Sequence, residues 1–289
     1  MRKFCLLPLL LIVALISLNP ASAQAQKELE IGLQAGVAGY AGDLRVNEFG
    51  LYLEDLQVAG GAYLRYRPFN RLALRLNGIF GNIAANDSRP GSLELAQRTG
   101  QIPLNFETSF TEFSLQAEFD LFYIGDPNGR HLAPYIMGGA GIFTFNPQST
   151  LDGTTYDLQS LRTEGQGIAS GDYDPAPYEL TEWTLLVGGG LRWRAGDRLV
   201  LGLELGGRRT STDYLDDVSD TRVNYLDILE NFGPIAAELS NPFITDINTD
   251  DLDYRRGGEF NDWYFTGVFT LGITIGNGTG GGGKGCYTF

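Results

Sequence analysis

Phe113-Ser114-Leu115-Gln116-Ala117-Glu118-Phe119-Asp120-Leu121 is apolar at every odd position and polar at every even one. Successive side chains on an extended strand point to opposite faces, so this stretch is a strand with one oily face and one charged face. The same period recurs along the chain. Leu29, Ile31, Leu33, Ala35 and Val37 interleave with Glu30, Gly32, Gln34, Gly36 and Ala38. Val58, Gly60, Ala62, Leu64 and Tyr66 oppose Tyr63, Arg65 and Arg67, and Leu72, Leu74 and Leu76 oppose Arg75 and Asn77. From His131 to Phe145 the pattern is glycine-rich, with Tyr135, Met137 and Phe143 on one face and Ile136 and Ile142 on the other. Leu185, Val187, Leu191 and Trp193 alternate with Arg192 and Arg194, and Leu199, Leu201, Leu203 and Leu205 with Glu204 and Arg208. The last run sets Phe265, Phe269, Leu271, Ile273 and Ile275 against Thr266, Thr270 and Thr274.

Eight segments of about ten residues have the length of tilted strands that cross a bilayer. Their connections alternate. Pro68 to Arg71, Gly125 to Arg130 and Ala195 to Arg198 are short, whereas those near 43–56, 86–105, 146–178 and 213–260 are long. The expected fold is therefore all-β: an eight-stranded antiparallel up-and-down transmembrane β-barrel with long extracellular loops, tight turns at the other end and both termini periplasmic. A soluble lipocalin-like barrel would turn its apolar face inwards. Here the charged face carries both signs: Arg65, Arg67, Arg75, Arg192, Arg194 and Arg208 with Glu30, Glu112, Glu118, Asp120 and Glu204. Eight strands enclose a space that side chains fill, so these residues are expected to form a lumen ion-pair network rather than a pore.

Composition narrows the function. Of 289 residues, 39 are glycine, about twice the usual share. One histidine, two cysteines and a net charge of −14 argue against histidine-based metal sites, disulfide scaffolds and nucleic-acid binding. Arg2 and Lys3, the apolar run from Phe4 to Leu18 and Ala21-Ser22-Ala23 read as a signal peptide over residues 1–23. Its removal takes Cys5 with it and moves the charge to −16. The barrel then occupies 24–276 and a glycine-rich periplasmic tail 277–289. His131 stands beside a short turn with no nucleophile next to it, so no enzyme activity and no cofactor are expected.

Between Asp213 and Asp262 thirteen acidic residues face only Arg222, Arg255 and Arg256, a net −10 that reads as a solvated acidic surface toward lipopolysaccharide and its divalent ions. Asp246, Asn248 and Asp250 alternate like the opening of a calcium loop, but Asp251 stands where glycine belongs and Gly257 where the closing glutamate belongs, so the sequence gives only a weak calcium candidate. Apolar residues between Val223 and Leu239 suggest a short amphipathic helix over the barrel mouth.

Gly39-Tyr40-Ala41-Gly42-Asp43-Leu44, Arg71-Leu72-Ala73-Leu74-Arg75, Thr163-Glu164-Gly165-Gln166-Gly167, Thr212-Asp213-Tyr214-Leu215-Asp216-Asp217-Val218-Ser219, Asn261-Asp262-Trp263-Tyr264 and the terminal Cys286 resemble the PorG-like outer-membrane barrels of Bacteroidota, components of the type IX secretion and gliding apparatus and their relatives. Gly257-Gly258-Glu259 and Cys286-Tyr287 depart from the family's more usual Arg-Gly-Asn-Pro and Cys-Pro. The resemblance implies a non-enzymatic outer-membrane component that ties a periplasmic ring lipoprotein and its soluble partner to the membrane. Cys286 is the only thiol left after signal cleavage, and an odd cysteine in an exported chain points to an intermolecular disulfide or a reactive thiol. Gly276 to Gly285 tethers it over roughly 16 to 19 Å, and Tyr287 and Phe289 would add aromatic anchors to the same contact.

Overall fold

The computed structural model describes residues 28–42, 55–86, 104–127, 129–169, 173–248, 250–257 and 261–275. Residues 1–23, expected to be a signal peptide, and the tail with Cys286, Tyr287 and Phe289 lie outside them. The alternating segments become strands β1 (Glu28–Ala41), β2 (Gln57–Arg67), β3 (Leu72–Asn86), β4 (Asn105–Asp120), β6 (His131–Leu151), β8 (Thr181–Arg194), β9 (Leu199–Thr210) and β12 (Trp263–Ile275). Each pairs antiparallel with its neighbours in the order β1-β2-β3-β4-β6-β8-β9-β12. The circle closes where β12 returns to β1, with Leu29 opposite Ile275 and Ala41 opposite Trp263. Closure pairs every strand edge, which is what a chain in hydrocarbon requires.

The residues of the wall obey their period. Val58 is 79 %, Phe113 71 % and Phe269 70 % exposed on the outside, whereas Arg75, Glu112 and Glu118 are at most 1 % exposed inside. An apolar exterior around a charged interior is the inverse of a soluble barrel and marks this one as membrane-spanning. No helix among the described residues is long and apolar enough to cross a membrane; the strands do so.

The short connections lie at one end, together with the start of β1 and the end of β12. One of them contains the two-residue β5 (Ile124–Gly125), which pairs with the start of β6. At the other end β3, β4 and β6 extend the wall, and β6 folds back on β7 (Thr154–Asp157) before the single-turn α1 (Leu158–Leu161). The segment between β9 and β12 forms a lid: β10 (Arg222–Asn224), α2 (Tyr225–Phe232), α3 (Pro234–Ser240) and β11 (Asp253–Arg255), with β10 and β11 paired. Asn224 caps α2 by accepting the Leu226 N–H at 3.0 Å. The single helix expected between Val223 and Leu239 is split in two, because Gly233 takes φ 89° and Pro234, which lacks an N–H, begins the next helix. Val223, Ile228, Ala236 and Ala237 form the lid's own small core.

The purified protein in detergent is expected to give a β-rich circular dichroism spectrum and to shift its electrophoretic mobility on boiling, since the closed ladder survives detergent until heated. A helical spectrum would contradict the architecture.

Candidate functional site

Inside the barrel, alternate side chains of all eight strands converge on a narrow axis, and the charged ones pair across it. Glu118 of β4 meets three guanidinium groups: Arg65 at 3.1 Å, Arg75 at 3.4 Å and Arg192. Arg75 of β3 also reaches Glu204 of β9, on the opposite wall, with 2.7 Å to each carboxylate oxygen. Asp120 binds Arg67 of β2 at 2.5 Å and Arg192 of β8 at 2.7 Å. Arg65 further pairs with Glu30, Arg208 with Glu112 at 3.0 Å, and Arg194 with Glu28 at 2.8 Å. Tyrosines complete the set: Tyr63 donates to Glu30 at 2.7 Å, Tyr135 to Glu204 at 2.6 Å and Tyr264 to Glu112. Arg75 also lies over the Tyr63 ring and Arg192 over the Tyr135 ring, 4.1 and 4.2 Å from the centroids. The structure thus gives each lumen residue the sequence singles out an ion-pair partner, most of them in the network around Glu118, with Arg208–Glu112 and Arg194–Glu28 as separate pairs. It adds Glu28, which the alternation did not flag because it is the first residue of its strand.

Above this polar layer the lumen becomes apolar. Tyr40, Ile79, Ile83, Phe106, Phe110, Phe143 and Phe145 form a buried septum, and Leu215 and Val218 of the lid drop into it with no exposed surface. The hydroxyl of Thr108 holds the Leu215 carbonyl at 2.8 Å.

A second cluster caps the septum, made from residues far apart in sequence. Asp217, in the left-handed region at φ 67°, accepts from Thr163, from Tyr178 at 2.8 Å and from Arg256 at 3.4 Å. Arg256 also donates to Thr163 Oγ1 at 2.6 Å. Glu164 receives the Ser219 N–H at 2.9 Å and its hydroxyl at 2.6 Å. Asp262 accepts the Leu215 N–H at 2.9 Å. Gly165 and Gly167 turn at φ 81° and 89°, and a Cβ at Gly165 would lie 2.4 Å from the Tyr173 ring; Gln166 between them is buried. Tyr214 stacks on Tyr178 at 4.4 Å and donates to Asp174 at 2.9 Å. The residues that carry the family resemblance, Thr163 to Gly167 and Tyr214 to Ser219, are therefore the fastening of the lid.

This corrects the expectation of a wholly solvated acidic loop. Asp220, Glu230, Glu238 and Asp251 are exposed, but Asp216, Asp217 and Asp262 are at most 1 % exposed. Burial pushes Glu164 up to about 7 and Asp217 upwards, against the pull of Arg256. Asp246 and Asp250 are occupied with their own backbone: Asp246 accepts the Asn248 N–H, and Asp250 the N–H groups of Thr245 and Asp246, all at 2.9 Å. Among the described residues no group of three or more histidine, cysteine or acidic side chains is placed to hold a metal. His131 sits in the turn, with Nδ1 3.2 Å from the carbonyls of Asp126 and Gly129 and its ring edge-on to Tyr123.

A family model described as a domain of unknown function, DUF6089, matches residues 7–168, more than half of the chain. The chain belongs to the DUF6089 family. The match runs through Thr163 to Gly167, so the first half of the lid fastening is part of the DUF6089 region. Similar solved structures include the N-terminal β-barrel domain of Pseudomonas aeruginosa OprF, with 12 % identity over 87 % of this chain and 100 % of that one at a TM-score of 0.38. Neisserial surface protein A gives 11 % identity over 86 % and 97 %, at 0.42. Ail, the attachment invasion locus protein of Yersinia pestis, gives 11 % over 86 % and 99 %, at 0.35. No curated protein matches the chain.

Two variants test the two clusters. Arg75→Met takes from buried Glu204 its closest cation, leaving it only Arg65 at 3.6 Å, so it should lower stability to denaturant by roughly 3 kcal/mol, read from urea unfolding in micelles. For Glu164 the folded value lies above that of a free side chain, near 4.3. The lid's stability from this group is therefore fully present at acid pH, falls as pH rises to about 7 and is level above it. Glu164→Gln should flatten that window in hydrogen exchange at Ser219; an unchanged pH profile would contradict the assignment.

Proposed function

We propose that this chain is a non-enzymatic outer-membrane barrel, exported by residues 1–23, that anchors a periplasmic ring lipoprotein and its soluble partner in a type IX secretion or gliding assembly. The observation that carries this reading is the filled lumen. Among the described residues, ion pairs cross the axis, an apolar septum lies above them and a lid is fastened over both. What remains for work is the surface of the barrel's two ends. Part of the resemblance to PorG-like barrels, Thr163 to Gly167 and Tyr214 to Ser219, falls on residues that fasten the lid in this fold, which is where a shared architecture is expected to leave its mark. β1 starts and β12 ends beside the short turns, so in this reading both termini and the tail bearing Cys286, Tyr287 and Phe289 face the periplasm and the partner. A second reading, a free-standing barrel that supports envelope integrity or binds an exterior ligand, draws on the exposed acids of the lid, which suit lipopolysaccharide with its divalent ions.

Crosslinking followed by affinity purification from detergent-solubilised outer membranes separates the two. Recovery of a periplasmic lipoprotein with a soluble companion supports the anchor; recovery of the barrel alone with lipopolysaccharide supports the free-standing barrel. On non-reducing gels a higher-mass, dithiothreitol-sensitive band in the wild type but not in Cys286→Ser is expected if the tail makes a covalent link. Monomer mass for both would move the contact to the short turns.

A further inference from the structure

Tyr40 stands at the top of β1, where the lid meets the wall, and its hydroxyl touches two carboxyl groups. The phenolic oxygen lies 2.5 Å from Asp216 Oδ2 and 2.8 Å from Asp262 Oδ1. A phenol owns one proton, and an ionised carboxylate only accepts. That proton can serve one of the two contacts; the other closes only if a carboxyl brings a proton of its own. The outer oxygens are otherwise engaged, Asp216 Oδ1 with the Val218 N–H at 3.1 Å and Asp262 Oδ2 with the Leu215 N–H at 2.9 Å. Tyr40, Asp216 and Asp262 are at most 1 % exposed. The backbone packs directly on them: a Cβ at Gly42 would lie 1.8 Å from Asp262 Oδ1 and 2.1 Å from the Tyr40 hydroxyl.

The charges around the pair favour an extra proton. Arg256 acts on Asp216 from the lid but is also shared with Asp217 and Glu164. Arg256 is thus divided among three buried carboxyl groups, and Asp213 on the same loop adds negative potential at Asp262. Tyr178 donates to Asp217 and Tyr214 to Asp174, so neither phenol supplies the pair. Below, Tyr264 and Arg208 are taken by Glu112.

We propose that Asp262 and Tyr40 form a proton-binding site: Asp262 holds a proton and donates it to the phenolic oxygen of Tyr40, which donates its own to Asp216. Burial and the neighbouring charges of Asp216 and Asp213 push the Asp262 carboxyl well above the ordinary carboxylate range, the direction this arrangement needs. The site latches the lid. Leu215 and Val218, which close the septum, hang by their N–H groups from the same two carboxyls, so loss of the proton sets two like charges side by side against the plug and frees it.

Infrared spectra of the refolded full-length barrel at about pH 8, above the range of Glu164, provide the test. The wild type should show the carbonyl band of a protonated, buried carboxylic acid, absent from Asp262→Asn and retained in Glu164→Gln. Asparagine can present an N–H to Tyr40 and its oxygen to Leu215, so Asp262→Asn should also keep residues 212–219 protected from hydrogen exchange as pH rises. In the wild type, opening of that segment should increase about tenfold per pH unit while the closed form keeps its proton. The wild type alone also decides: protection should fall with increasing pH while the band persists and level off where the band vanishes. No band at about pH 8, a band removed by Asp216→Asn but not by Asp262→Asn, or protection that is independent of pH while the band persists would overturn the proposal.

Discussion

Glu118 and its three arginines set the terms for everything else in this molecule. A carboxylate with 1 % exposure inside a membrane barrel loses its hydration, at a cost of several kcal/mol that only close opposite charges can offset. The cations that offset it come from β2, β3 and β8, and each of them needs further anions, so Glu30, Asp120 and Glu204 follow. Some of the resulting bonds join neighbouring strands, as Arg65 with Glu30 and Arg75 with Glu118 do, but others, Arg75 with Glu204 above all, run across the axis. They specify which walls face one another, they fill the lumen, and they explain why arginine, with its planar fork of donors, supplies every one of these cations.

A lumen filled in this way needs a boundary with the exterior water, and the septum of Phe110, Phe143, Phe145 and their neighbours provides it. The extended β3-β4-β6 wall raises these aromatics above the ion pairs, and Leu215 and Val218 complete the layer from the lid. The fastening above is again made of buried carboxyls, but with fewer cations to balance them. The two charged layers therefore differ in kind: the lower is close to neutral by pairing, the upper depends on hydroxyl donors, backbone N–H groups and protons.

Much of this can be read along the chain because a strand's period is local. Glu118 against Phe119, or Arg75 against Leu74, says which side chain points inwards without knowledge of any partner. The pairing of Arg75 with Glu204 is not readable in that way, since it joins residues 129 apart and depends on how the closed sheet brings β3 opposite β9. Composition misleads at Asp216, Asp217 and Asp262. Acidic residues in a long loop are solvated unless a partner buries them, and here the partners are Tyr40 of β1, Thr163 and Tyr178 of the connection before β8, and Arg256 from the far end of the same loop. Glu164 and Ser219 stand out only through the family resemblance, which marks the positions without saying that they meet. Gly233-Pro234 carries a legible break within the apolar stretch from Val223 to Leu239, and the structure splits the helix there.

The central claim is that the ion pairs and the septum close this barrel as a solid strut rather than a pore. Conductance of the purified protein in planar lipid bilayers tests it most directly. A closed strut gives a silent membrane once insertion has been verified by protease protection, with no stepwise current across the voltage range that the bilayer tolerates. Regular, ohmic single-channel steps from the intact wild type would contradict the account.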